Sequence, residues 1–540
     1  MKISALHNYK ELNKSRFNWI VIAFSICVII LVIFTRLRLL SVPLERDEGE
    51  YAYFAQLLLK GIPPYLHAYS MKFPGIYGAF ALIMVFFGQS TEAIHKGLLL
   101  VDLISALLLF RLAKQLFNST IGALSAAFFA FMAVGPSLLG MAAHATHFVV
   151  LFILASLATA SPSSPNNSVR IFVSGLSAGM SVLMKQQAIF LIPFIIWFLI
   201  INDSNGRGFR LRPDSLKRAS AFSAGILLPI IIVFYLMYVE GVFDKFWFWT
   251  ISYARQYVSE VSFWGALDSF FSATAYVIKP QILLWLISAY GAYLCFKQRK
   301  RQNCQFVLAF LLFSFLSICP GFYFRWHYYI LLLPPVALCA AIAVVSVIES
   351  KEGKNFAWIP PMILILPIIA TLILNAGYFF FWSPNDVSRK IYGANPFPES
   401  VVIARYIRNN SAENAKIAVL GSEPQIYFYA DRLSASGHIY MYGLMEHQPF
   451  SGQMQREFIK DIEKTEPEFV VLVRVQTSWL MDYFSDKTIL TWQRNGYLKK
   501  NYDRVGIINI DETSRYFWGK DIEKYKNRLT NYIFIYKRKR

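Results

Sequence analysis

Residue type and spacing single out five short stretches. ERDEGEY, Glu45 to Tyr51, sets Glu45, Arg46, Asp47, Glu48 and Glu50 almost side by side. MKFPG carries Lys72 just ahead of Pro74, and MKQQ carries Lys185. FRWHYY carries Arg325 and His327, and HATH carries His144 and His147. A positioned carboxylate can take the proton of an attacking hydroxyl. Fixed cations can stabilise negative charge growing on a leaving group. Two histidines three apart can share a helix face and hold a metal.

Each of these residues also has a purely structural use. Asp47 fits a helix N-cap, with Glu50 three residues on completing a capping box for EYAYFAQLLLK. A helix beginning there would also hold the Asp47 carboxylate in a fixed place. Glu45, Arg46 and Glu50 read as solvated charges at a membrane interface. Lys72 and Lys185 can snorkel, Arg325 can anchor an interface, and His144 and His147 can be structural.

What positions these groups is a membrane domain. The chain of 540 residues is 56% hydrophobic and only 16% charged, against about 25% charged in soluble domains. Apolar runs near spanning length recur, which reads as an α-helical polytopic membrane protein. Eleven spans are expected, at 17–34, 93–110, 119–139, 145–160, 171–184, 188–201, 220–239, 280–296, 304–319, 327–348 and 357–382. PGIYGAFALIMVFFG, Pro74 to Gly88, is too short and suits an interfacial or re-entrant helix. TRLRLL follows the first run instead of a small-residue cleavage site, so an uncleaved anchor is expected. With the N-terminus inside, the inner segments hold 18 Lys or Arg in 68 residues and the outer ones 11 in 120. That is the positive-inside bias. The net charge of +20 is therefore an orientation signal in the membrane half, and no nucleic-acid partner is expected. The five cysteines form no CxxC pair and suggest neither a disulfide framework nor a metal site.

An odd number of spans leaves residues 383–540 outside. They hold 24 Lys or Arg against 18 Asp or Glu and no run of spanning length. PESVVIARYIRNN reads as an amphipathic helix, and KIAVLG and EFVVLV as buried strands, so a C-terminal α/β extracytoplasmic domain is expected. The domains are thus 1–382 in the membrane, with an outer loop 35–92 carrying the acidic motif, and 383–540 outside. VLGSEP makes no dinucleotide fingerprint. On this topology ERDEGEY, Lys72, Lys185, Arg325, His327 and the HATH histidines all end at the outer face, where costly ionisable groups are often functional.

The same residues carry a family resemblance. RDEGEYAYFAQLLLKGIPPY, then MKFPGIY, then a span ending FRLAKQLF, resembles the GT-C glycosyltransferases. In particular it is similar to the bacterial relatives of protein O-mannosyltransferases and of the aminoarabinose transferases that modify lipid A. SGLSAGMSVLMKQQAIFLIP, FRWHYYILLLPPVALCAA and IYFYADR agree with it in order. The resemblance implies a polyprenyl-phosphate sugar donor, no nucleotide, and transfer to a hydroxyl of a lipid, glycan or protein at the outer face of a plasma membrane, expected to be a bacterial inner membrane. It assigns the acidic role at the acceptor to Asp47, with Glu48 beside it, and a basic role to Lys72. With Lys72, the cations Arg325, Lys185 and His327 are expected at the donor phosphate. The family often has an acidic residue before this lysine and a second proline after it, where this chain has Met71 and Phe73. Whether a divalent metal binds is left open. His147 stands where many relatives carry an acidic residue. The competing reading is a transporter or flippase of a lipid-linked saccharide, which would place charges near the midplane and often show internal repeats. Here the charges gather at one expected face, and no repeat is visible.

Overall fold

The apolar runs form helices, because an apolar side chain in lipid leaves the backbone polar groups no partners except one another. The computed structural model describes residues 2–160, 167–201, 213–258, 261–350, 359–510, 513–525 and 530–539. Part of the expected inner-loop charge, at 202–212 and 351–358, lies outside the described residues. In chain order the first seven helices are α1 (Lys2–Arg38), α2 (Arg46–Leu59), α3 (Gly75–Phe87), α4 (Thr91–Leu116), α5 (Ser119–Ala133), α6 (Ala145–Ala160) and α7 (Ser168–Met184).

Among the described residues, 5 helices are long and apolar enough to cross a membrane: Asn18–Arg38, Thr91–Leu116, Ser215–Val239, Phe263–Lys297 and Trp326–Glu349. Shorter apolar helices accompany them. Each run singled out in the sequence overlaps one of these helices, although 119–139 outlasts its helix, which ends at Ala133, and positions 357–358 of the last run lie outside the described residues. Segment 240–279, expected on the outer side, ends in a helix that the sequence reading did not single out, Phe263–Ile278, which leads through Lys279–Gln281 into Ile282–Lys297. Its polar spacing (Asp268, Ser269, Ser272, Thr274) had disguised it. Helix α3 is 13 residues long. It buries Ile76, Tyr77 and Phe80 and exposes Leu82, Val85 and Phe86, which suits an interfacial helix.

The chain divides into two compact units. The first comprises residues 1–40, 95–235 and 257–382. Its inner helix, Leu333–Ser350, is almost wholly buried and rich in alanine. A Cβ on Gly291 would run into the backbone of Cys339. Small residues let these two helices approach closely, as membrane helices need when no hydrophobic drive brings them together. Trp19, Ile20 and Ile30 on α1, and Leu227 and Ile231 on Pro213–Val239, stay exposed as surface for lipid. At the end of α1, Arg38 binds the carbonyls of Tyr378, Phe379 and Trp382, which ties that end to the last turn of the unit.

The second unit comprises residues 41–94, 236–256 and 383–540. Its centre is a mixed sheet of six strands, β1 (Lys416–Leu420), β2 (Leu433–Ser434), β3 (Phe469–Arg474), β4 (Tyr502–Asn509), β5 (Arg515–Trp518) and β6 (Tyr532–Arg538), ordered β2-β1-β3-β6-β4-β5. β2, β1 and β3 run parallel; β6 is antiparallel to β3 and β4, and β5 to β4. KIAVL and FVVLV are buried strands and Phe397–Asn409 is a helix, as expected. Helix α2 packs against this domain. A Cβ on Gly49 would meet Gln425 at 2.5 to 2.8 Å, so only glycine allows the approach. Tyr53 stacks on Tyr427, and its hydroxyl accepts from the Ser434 N–H at 2.8 Å.

Candidate active site

The acidic stretch is organised by where α2 begins. Glu45 is the N-cap: its Oε1 accepts from the Glu48 N–H at 3.0 Å, and Glu48 Oε2 accepts from the Glu45 N–H at 3.3 Å. The capping box therefore uses Glu45 and Glu48, not Asp47 and Glu50. Glutamate lies outside the usual cap set of Ser, Thr, Asp and Asn, which is why the sequence rule selected Asp47. The earlier start also lets Gly49 face Gln425 and brings Asp47 and Glu50, three apart, onto one helix face.

That face meets Lys72. Its Nζ donates to Asp47 Oδ1 at 2.8 Å and to Glu50 Oε2 at 2.7 Å, and lies 4.6 Å from the Tyr51 ring centre. Tyr77 donates its hydroxyl to Glu50 Oε1 at 3.0 Å. The Glu50 side chain is 1% exposed, Lys72 20% and Asp47 27%. Burial pulls the Lys72 ammonium down, but Asp47 and Glu50 outweigh it and hold it well above its ordinary value. Lys72 is thus a fixed cation and no base. Asp47, opposite it, is the most accessible carboxylate of the four that Lys72 and the cap organise.

The solvated-charge reading of Glu45, Arg46 and Glu50 is overturned. Glu45 and Glu50 are buried. Burial, then Asp47 and Glu48, push the Glu45 carboxyl well above the usual range. Arg46 turns away from Lys72, donating to Ser422 O at 2.7 Å and to Glu423 Oε1 at 2.6 Å. It is a pin between α2 and the end of β1.

In the first unit, Lys185 caps α7 in an extended conformation. Its Nζ lies 3.4 Å from His327 Nε2 and 4.1 Å from the Tyr328 ring centre. His144 stacks flat on His327, with centroids 4.0 Å apart. Arg325 is exposed and sits over the Tyr323 ring at 5.2 Å. The preceding Phe322 and Phe324 adopt positive φ of 55° and 44°. Such backbone costs roughly 1–3 kcal/mol per residue and clusters at functional sites.

Residues 74–216 match the family model described as dolichyl-phosphate-mannose-protein mannosyltransferase. Comparison with curated protein sequences gives no match. Among solved structures, ArnT from Cupriavidus metallidurans bound to undecaprenyl phosphate superposes with a TM-score of 0.57 at 14% identity, over 84% of this chain and 93% of that one. The apo oligosaccharyltransferase of Archaeoglobus fulgidus gives 0.53 at 12%, over 92% and 74%. The same enzyme in complex with Zn and sulfate gives 0.50 at 12%, over 91% and 72%. This is the fold of the GT-C membrane glycosyltransferases. The family match and the GT-C fold together support a glycosyltransferase-type enzyme in a multi-pass membrane protein.

One ionic group of this GT-C-like fold escaped the sequence reading. Arg36 on α1 pairs with Asp102 on α4, and His147 on α6 donates from Nδ1 to Asp102 Oδ1 at 2.8 Å. All three are buried. The signal was present: Asp102 interrupts the apolar run GLLLVDLISALLL, and a lone acid in a span is expensive unless paired. His144 and His147 accordingly do not form a shared helix-face pair. One stacks on His327, and the other ties α6 to α4.

Proposed function

We propose that this protein moves a sugar from a polyprenyl-phosphate donor to a hydroxyl acceptor at the extracytoplasmic face of the membrane. The Asp47–Lys72–Glu50 arrangement carries the reading. It holds one accessible carboxylate at the start of a rigid helix while the cap is made by other residues. Asp47 takes the acceptor's proton as the acceptor oxygen bonds to the anomeric carbon. The bond from that carbon to the phosphate oxygen breaks, and the lipid phosphate leaves with the electron pair. A general base of this kind is worth about 10²–10⁴-fold.

Lys72 is assigned first to positioning Asp47. An ammonium has three N–H donors, and the one not used on Asp47 and Glu50 is its contribution to the donor phosphate. Lys185, His327 and Arg325 are the cations the first unit provides for the same charge. Glu48 is assigned to the cap. The undecaprenyl phosphate bound by ArnT supports a polyprenyl-phosphate donor. A divalent metal, if one binds, would be held by the imidazoles of His144 and His327, a ligand type zinc takes, and would supply further positive charge. Asp47 and Glu50 already have a cation in Lys72.

The positive-inside count supports eleven spans, a cytoplasmic N-terminus, and an extracytoplasmic C-terminal domain, in a plasma membrane of the bacterial inner-membrane type. Mass spectrometry of envelope lipids and glycans, with and without the protein, tests the function. One sugar mass should disappear from one acceptor class, and identical profiles would refute the reading.

A further inference from the structure

Leu480, Met481, Tyr483 and Phe484 form an apolar loop on the sheet domain, with Tyr483 85% and Phe484 68% exposed. The loop is held in shape. Asp482 Oδ1 accepts from the N–H groups of Phe484 at 2.8 Å and Ser485 at 2.9 Å. Ser485 donates to Met445 O at 2.6 Å. Asp486 Oδ1 accepts from the Thr488 N–H at 2.8 Å. One oxygen of each acid is therefore held by backbone N–H groups, and the exposed face of the loop carries the two aromatic rings beside Asp482. Lys487 lies 5.8 Å from the Tyr483 ring centre. Aromatic rings flanked by a lysine are the composition of a membrane–water interface.

The position within the second unit agrees. Phe484 meets His447 at 5.6 Å between centroids, and nearby Phe450 meets Phe248 edge-on at 5.1 Å. Phe248 follows closely on Val239, the end of a helix long and apolar enough to cross a membrane. The last turn of that helix exposes Leu236, Tyr238 and Val239. The loop is thus linked, through two ring contacts, to a segment that emerges directly from a candidate span.

We propose that this loop is a lipid anchor: Tyr483 and Phe484 seat in the headgroup region of the bilayer the protein spans and hold the C-terminal domain against it. The proposal is independent of the reaction assigned to Asp47. The test uses the full chain in a cysteine-free background, with Phe484→Cys carrying a nitroxide. The protein is reconstituted in vesicles of phosphatidylethanolamine and phosphatidylglycerol. Collision rates are read with oxygen, which concentrates in lipid, and with a water-soluble nickel chelate on both sides. Lys520→Cys, exposed on the same domain, is the aqueous reference. The oxygen-to-nickel ratio at 484 should exceed that at 520 several-fold. An equal ratio would place the loop in water and overturn the proposal. Loss of both collisions at 484 would mean that protein, either this chain or a partner, covers the loop, and would overturn it equally.

Discussion

Asp47→Asn separates chemistry from structure cleanly, because the cap lies elsewhere. Asn keeps the shape and can still accept from Lys72, which also retains Glu50 at 2.7 Å. The Asp47 side chain is 27% exposed, so losing the charge from this pair costs about 0.2–1 kcal/mol. Removing an acid from the first helical turn costs about 0.3–1 kcal/mol more. The sum is small beside the roughly 5–15 kcal/mol that keeps a domain folded. The amide cannot take the acceptor's proton. Losing a general base should lower kcat about 10²–10⁴-fold, or roughly 3–5 kcal/mol at 1.36 kcal/mol per decade. The barrier effect therefore exceeds the structural one. The assay is single-turnover transfer of labelled sugar from a polyprenyl-phosphate donor by purified variants in lipid, at matched folded protein. Donor KM should change little, since the lost interaction belongs to proton transfer. A fully active Asp47→Asn enzyme would refute the base assignment and leave Asp47 as a mere partner of Lys72.

Glu48→Gln keeps an acceptor for the capping box, loses only the first-turn charge at about 0.3–1 kcal/mol and should keep transfer per folded molecule, whereas Glu50→Gln should cost about 1–3 kcal/mol and lower kcat as well, because it loosens Lys72 and Tyr77; thermal unfolding alongside transfer rates reads both. In the fold, burial and then Asp47 and Glu48 raise the Glu45 carboxyl well above its ordinary value, so its folded pKa exceeds the unfolded value of about 4.3. The parent must then lose stability as pH rises from there towards the folded value. Glu45→Gln keeps a cap acceptor without that titration, and its melting temperature relative to the parent should rise over the same window. Asp102→Asn leaves Arg36 buried without its counter-charge and should destabilise by about 3–5 kcal/mol, partly recovered by adding Arg36→Met, in unfolding followed in lipid. In a cysteine-free background, an impermeant maleimide on intact cells should label Lys520→Cys and spare Gln298→Cys; the reverse pattern would invert the topology.

Much of the architecture was legible in the chain. Apolar runs mark helices because lipid forbids unpaired backbone, and KIAVL and EFVVLV announce strands because a strand buried on both faces needs continuous apolar residues. The helix at Phe263–Ile278 was missed because its polar residues break the run, and Asp102 because its partners lie far away, at Arg36 and His147. The acidic stretch was recognised but its parts were misassigned. Local capping rules favoured Asp47, while the chain used Glu45.

The sequence by itself determined the class of molecule, the acidic and basic groups that matter and the family they resemble, since composition, hydrophobic period and motif order are local properties of the chain. Tertiary structure decided which carboxylate is available. The contact of Gly49 with Gln425 fixes where α2 sits. That placement sets Glu45 and Glu48 to capping, Arg46 to Glu423, and Asp47 with Glu50 to Lys72. Four adjacent carboxylates look alike in sequence because they differ only in what surrounds them. Burial, charge pairing and hydrogen bonding come from residues tens to hundreds of positions away, and these are the terms that set a carboxylate's chemistry.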